Sequence, residues 1–79
     1  IVMAAGVTTV TGTSAAELII GVNKTGNVSY NGGAGNDCIV AGGQSATRNT
    51  LDGGTGTNDI CIGAPGAKNT FQNCDQTFN

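Results

Sequence analysis

Gly32-Gly33-Ala34-Gly35-Asn36-Asp37-Cys38-Ile39-Val40 is the stretch on which the fold of this chain turns. It has the form G-G-x-G-x-D-x-U-x, where U is a large apolar residue. Gly53-Gly54-Thr55-Gly56-Thr57-Asn58-Asp59-Ile60-Cys61-Ile62 repeats it with one inserted residue. A glycine-rich turn followed by a three-residue apolar strand, occurring twice, marks a stacked repeat and not a conventional core.

Working outward, Ile19, Tyr30, Ile39, Leu51, Cys61 and Phe71 fall at intervals of 11, 9, 12, 10 and 10 residues. Each is read as the inward residue of a short strand. Two strands complete a coil of about 20 residues, and stacked strands lie ~4.8 Å apart. The expected fold is all-β: a short parallel β-solenoid, or β-roll, of about three coils with two parallel sheets. Sheet A holds Leu18-Ile19-Ile20, Cys38-Ile39-Val40 and Ile60-Cys61-Ile62. Sheet B holds Ser29-Tyr30-Asn31, Thr50-Leu51-Asp52 and Thr70-Phe71-Gln72. Residues 12–79 form the repeat domain with a cysteine-capped last coil. Residues 1–11 are an apolar N-terminal strand.

Side chains alternate across a strand, so the outward residues follow. Sheet B turns Ser29, Asn31, Thr50, Asp52, Thr70 and Gln72 to solvent. Sheet A turns out Leu18, Ile20, Cys38, Val40, Ile60 and Ile62, and strands apolar on both faces are normally covered on both. Two covers are open: the stretch Ile1 to Val10 in cis, or another subunit in trans. A contiguous apolar face of this kind marks an interface.

Composition narrows the function. The chain has 79 residues, net charge −2 and 10% charged residues; basic patches of the kind that hold nucleic acid are not expected. No apolar run is long enough to span a membrane. There is no His, and Ser14, Ser29 and Ser45 lack a base to activate them, so no enzyme is expected. Three cysteines in a chain this small suggest an oxidising, extracellular setting. The opening residues read as a mature N-terminus after removal of a secretion signal. Asn23-Lys24-Thr25 and Asn27-Val28-Ser29 are sequons, which Asn- and Thr-rich chains also produce by chance.

The two glycine-rich segments resemble the hemolysin-type calcium-binding (RTX) repeat of secreted bacterial proteins, and the cysteine-bearing stretch Asn58 to Asp75 is similar to the C-terminal end of small secreted members. The resemblance covers residues 12–75. It implies a β-roll whose turns hold Ca²⁺ between adjacent coils, through backbone carbonyls and one acidic side chain per turn. Carried onto this chain, the acidic position is Glu17, Asp37 and Asp59 before sheet A, and Val28, Asn49 and Asn69 before sheet B. Only the first edge offers the anionic oxygens Ca²⁺ prefers. The implied ligands are Asp37, Asp59 and Glu17, with the turn glycines Gly33, Gly35, Gly54 and Gly56. The other reading of these acids is as solvated turn residues without a metal. Lys24, Arg48 and Lys68, placed in the turns before sheet B, give a basic edge opposite the acidic one. Asn49 and Asn69 are positioned for an amide ladder up the stack.

Cys61 points inward in the last strand of sheet A, and Cys74 follows the last strand of sheet B. A Cys61–Cys74 bridge would close the final coil and cap the core. Cys38 remains, outward on the apolar face, as a small hydrophobe or an intermolecular link.

Three functions fit. The first is a secreted structural protein whose subunits assemble into a filament or other extracellular polymer. The second is a monomeric calcium-binding module for folding or secretion. The third is binding to a surface, ice or glycan, through the polar face of sheet B.

Overall fold

A computed structural model of the protein describes residues 1–3, 6–22 and 25–79. Among these residues there is no helix. Eight strands run in the order β1 (Thr9–Thr11), β2 (Leu18–Ile20), β3 (Gly26–Asn31), β4 (Cys38–Val40), β5 (Thr47–Asp52), β6 (Ile60–Ile62), β7 (Lys68–Gln72) and β8 (Gln76–Phe78). Odd strands form one four-stranded sheet, β1-β3-β5-β7, and even strands the other, β2-β4-β6-β8. Every pairing is parallel. Parallel neighbours need a crossover, and here each strand of one sheet is the crossover for the other. The result is a β-solenoid of about 3 turns, and the six expected strands lie in the expected sheets.

Registers match the reading from spacing. Ile19 pairs with Ile39, and Ile39 with Cys61; Tyr30 pairs with Leu51, and Leu51 with Phe71. The core is the stack of these residues: Ile19, Ile39, Leu51 and Cys61 are fully buried, Tyr30 is 1% exposed, and Met3 and Val28 add to them. Each large aliphatic so buried contributes about 1.5–3 kcal/mol. Tyr30 keeps its hydroxyl satisfied by accepting the Gly42 N–H at 3.2 Å.

Three features differ from expectation. The strands of sheet B are longer, because β3, β5 and β7 begin upstream of the motif with Gly26, Thr47 and Lys68. Arg48 and Lys68 therefore lie in strands and not in turns; Asn23 and Lys24 lie outside the described residues. The described part of residues 1–11 does not lie over the outer face of sheet A. Thr9–Thr11 joins sheet B beside β3, and Val2 bridges Ile20 at the edge of sheet A, with the Met3 N–H donating to the Ile20 carbonyl at 2.8 Å. An edge of unpaired backbone groups recruits the segment more strongly than an apolar face does, since it satisfies N–H and C=O groups as well. At the other end, Gln76–Phe78 adds a fourth strand to sheet A, with Thr77 beneath Cys61.

Candidate functional site

The edge leading into sheet A brings together the three acids predicted from the motif. Their arrangement is a ladder of backbone caps. Asp37 Oδ1 accepts the Glu17 N–H at 3.0 Å. One coil on, Asp59 Oδ1 accepts the Asp37 N–H at 2.8 Å. Asp75 Oδ2 accepts the Asp59 N–H at 2.7 Å. Each carboxylate thus ties its own turn to the one before it. Glu17, at the end of the column, turns to its own turn and accepts from Thr13 N–H at 2.7 Å and Thr13 Oγ1 at 3.0 Å. Asp75 was not among the predicted acids. Its turn, Asn73-Cys74-Asp75, has no glycine pair, and Asn73 takes up positive φ (53°), which Asn tolerates better than most residues. The available signal was the partial remnant Asp75-Gln76-Thr77-Phe78, in which Thr77 stands where D-x-U-x has its large apolar residue.

Asp37 and Asp59 are each 1% exposed. Their second oxygens, Asp37 Oδ2 and Asp59 Oδ2, are buried with no hydrogen-bond partner. Burial raises the Asp37 carboxyl above its ordinary value; the Glu17 N–H opposes this, and the charges of Asp59 and Glu17 add to it. The orphaned oxygen of Asp37 faces a small space above Gly32. A Cβ there would sit 2.7 Å from Asp37 Oδ2 and 2.9 Å from the Gly53 carbonyl oxygen. At Gly12 a Cβ would meet the Gly32 carbonyl and Glu17 Oε1, and at Gly53 the Asn73 carbonyl and the Asp59 side chain. Glycine therefore keeps open, on successive coils, a cradle between a carboxylate and the carbonyl of the next coil.

The oxygen-only, partly anionic donor set fits a hard cation such as Ca²⁺. Asp37 and Asp59 would supply the charge, and the Gly53 carbonyl one neutral ligand. Among the described residues no three acidic, His or Cys side chains converge on one point, so further oxygens would come from backbone and water. Of the predicted turn glycines, Gly33 and Gly54 (φ 79° and 74°), like Gly35 and Gly56 (φ 89° and 136°), stack with their backbones in close approach. The Gly33 carbonyl already accepts the Thr55 N–H at 3.1 Å. The inserted residue in the Asp59 turn is absorbed by Asn36, whose Oδ1 accepts from the N–H groups of Thr57 and Asn58 at 3.1 and 3.2 Å.

The opposite edge carries amides. Asn49 Nδ2 donates to Asn69 Oδ1 at 3.0 Å and to the Gly42 carbonyl at 2.9 Å. Asn69 Nδ2 donates to the Ala64 carbonyl at 3.0 Å and to Asn79 Oδ1 at 2.7 Å. The predicted ladder forms and extends one rung further.

Cys61 and Cys74 are disulfide-bonded, with Cα atoms 6.0 Å apart. Cys38 is free and half-buried. It belongs to the outer face of sheet A, where two columns run up the sheet: Leu18, Cys38, Ile60 and Gln76, and Ile20, Val40, Ile62 and Phe78. Leu18 is 51% exposed, Ile20 37% and Phe78 53%. Val2, bridged to Ile20, is 68% exposed. Nothing among the described residues covers this face. No helix among the described residues is long and apolar enough to cross a membrane. No protein-family model, curated protein or solved structure matches the chain.

Proposed function

We propose that this chain is a secreted, non-enzymatic structural protein that self-assembles into a filament or other extracellular polymer, its subunits meeting through the outer face of sheet A. The observation that carries this is the open apolar face itself. Five apolar side chains (Val2, Ile20, Val40, Ile62 and Phe78) succeed one another along the sheet. A stripe of this length on so small a body is the signature of an interface. The Cys61–Cys74 bridge is compatible with an oxidising setting, and Cys38 lies on the same face, ready for a covalent link between subunits. Val40 and Ile62 face outward from adjacent strands, so Val40→Lys and Ile62→Lys should leave the fold intact and abolish assembly. Electron microscopy and sedimentation of the purified variants check this; normal assembly by both variants removes the face as the contact.

A second reading, compatible with the first, is a calcium-binding module of the RTX type. The buried, unpartnered Asp37 Oδ2 and Asp59 Oδ2 favour it, because a cation shared between coils would relieve their desolvation and mutual repulsion. Ca²⁺ is then expected to raise the thermal midpoint, and EGTA to lower it, in circular dichroism melts. Identical melts in both conditions eliminate the calcium reading and leave assembly through the apolar face standing.

A further inference from the structure

The outer face of sheet B holds a groove that neither assembly nor calcium uses. β3, β5 and β7 place two rows of outward side chains across it: Asn27, Arg48 and Lys68 in one row, Ser29, Thr50 and Thr70 in the other, all in register. Rungs ~4.8 Å apart make each row about 10 Å long. The groove has a volume of about 390 Å³, towards the lower end of the range for small-molecule sites. Every residue lining it is polar and none is acidic.

The charges are the informative part. Arg48 and Lys68 stand directly opposite each other on paired strands, an arrangement that repels. Among the described residues neither side chain has an ion-pair or hydrogen-bond partner. Two adjacent unpaired cations call for about two negative charges. A phosphate monoester carries roughly −1.5 to −2 at neutral pH, whereas a carboxylate or a nucleic-acid phosphodiester carries one. The planar fork of Arg matches phosphate oxygens in pairs, and Lys adds a point charge. The hydroxyls of Ser29, Thr50 and Thr70 and the Asn27 amide supply uncharged donors and acceptors beside it. The groove is larger than one phosphate ion, and the hydroxyl row suits a partner rich in hydroxyls. No aromatic residue lines it, so it offers no platform for stacking a base.

We propose that this groove binds the phosphate monoester of a small polyhydroxylated molecule, a sugar phosphate, with the phosphate between Arg48 and Lys68 and the hydroxyls against Ser29, Thr50 and Thr70. The proposal is independent of the sheet A interface, which lies on the other side of the roll. Isothermal titration calorimetry at constant ionic strength tests it with four probes: glucose 6-phosphate, inorganic phosphate, glucose and gluconate. Glucose 6-phosphate should bind, glucose should not, and gluconate should bind more weakly. Arg48→Gln and Lys68→Gln should each weaken glucose 6-phosphate by about tenfold or more, with circular dichroism spectra unchanged because both side chains are exposed. Thr50→Ala should weaken glucose 6-phosphate but not inorganic phosphate. Equal affinity for inorganic phosphate and the ester would identify the free ion as the source and overturn the sugar part. No heat with either phosphate, gluconate equal to the ester, or full binding by the Arg48→Gln/Lys68→Gln double variant would overturn the site.

Discussion

Asp37 holds its proton more tightly in the folded chain than in the unfolded one, because burial strips its carboxyl of water. A raised folded-state value means that its stabilising contribution is fully present below the ordinary value of 3.8 and is lost as pH rises through the folded value. In EGTA, this group should therefore make the thermal midpoint of the wild type fall as pH rises from about 4 towards neutral. Asp37→Asn keeps an oxygen to accept the Glu17 N–H and removes the charge, so it should flatten that fall and raise the midpoint at neutral pH. Circular dichroism melts of both proteins across this range check the sign; equal slopes would assign the dependence to another group. The position of Asp37 in a column with Glu17 and Asp59 was legible as what the family resemblance implies. That its oxygens divide between a backbone cap and a buried position without a hydrogen-bond partner was not, because this depends on how far one turn sits above the next.

Among the elements, β7 shows most clearly how a strand divides its tasks between faces. Asn69 points inward, accepts from Asn49 Nδ2 and Ala64 N–H, and donates to the Ala64 carbonyl. Asn69→Ala leaves those groups without partners and should cost about 1–3 kcal/mol. Thr70→Ala, one residue on and outward, should change stability by less than about 0.5 kcal/mol. Urea unfolding of the two variants measures the contrast, and equal losses would show that the ladder adds nothing beyond β pairing. The ladder was legible because Asn49 and Asn69 occupy the same place in successive repeats. The early start of β3, β5 and β7 was not, since Thr47-Arg48-Asn49 and Lys68-Asn69-Thr70 carry turn-like composition. Pairing with neighbouring strands overrides that preference, and it moves Arg48 and Lys68 from an edge to a face.

At the scale of the molecule, a body measuring 31 × 22 × 14 Å has room for only a thin core. The Cys61–Cys74 bridge ties the last two coils at one end across 13 residues of sequence. Its loss in a Cys61→Ala/Cys74→Ala double variant should cost about 3 kcal/mol by loop-closure entropy, and the change should be read by urea unfolding under non-reducing conditions. The bridge was legible in advance because alternation put Cys61 inside and Cys38 outside. The fate of residues 1–3 and 9–11 was not, because an apolar strand suits a sheet edge and a sheet face equally well until backbone hydrogen bonds are counted. What the sequence by itself determined is the strand register and the inner and outer faces: with side chains alternating at period two, the glycine turns leave one frame in which Ile19, Tyr30, Ile39, Leu51, Cys61 and Phe71 all point inward. What only the tertiary structure decided is what meets across coils, namely the cap ladder reaching Asp75, the ends taken up by residues 1–3 and 76–78, and the groove beneath Arg48 and Lys68. Those meetings join residues about one coil apart, and their geometry follows from the stacking distance and the packing of the turns, neither of which is encoded in spacing along the chain.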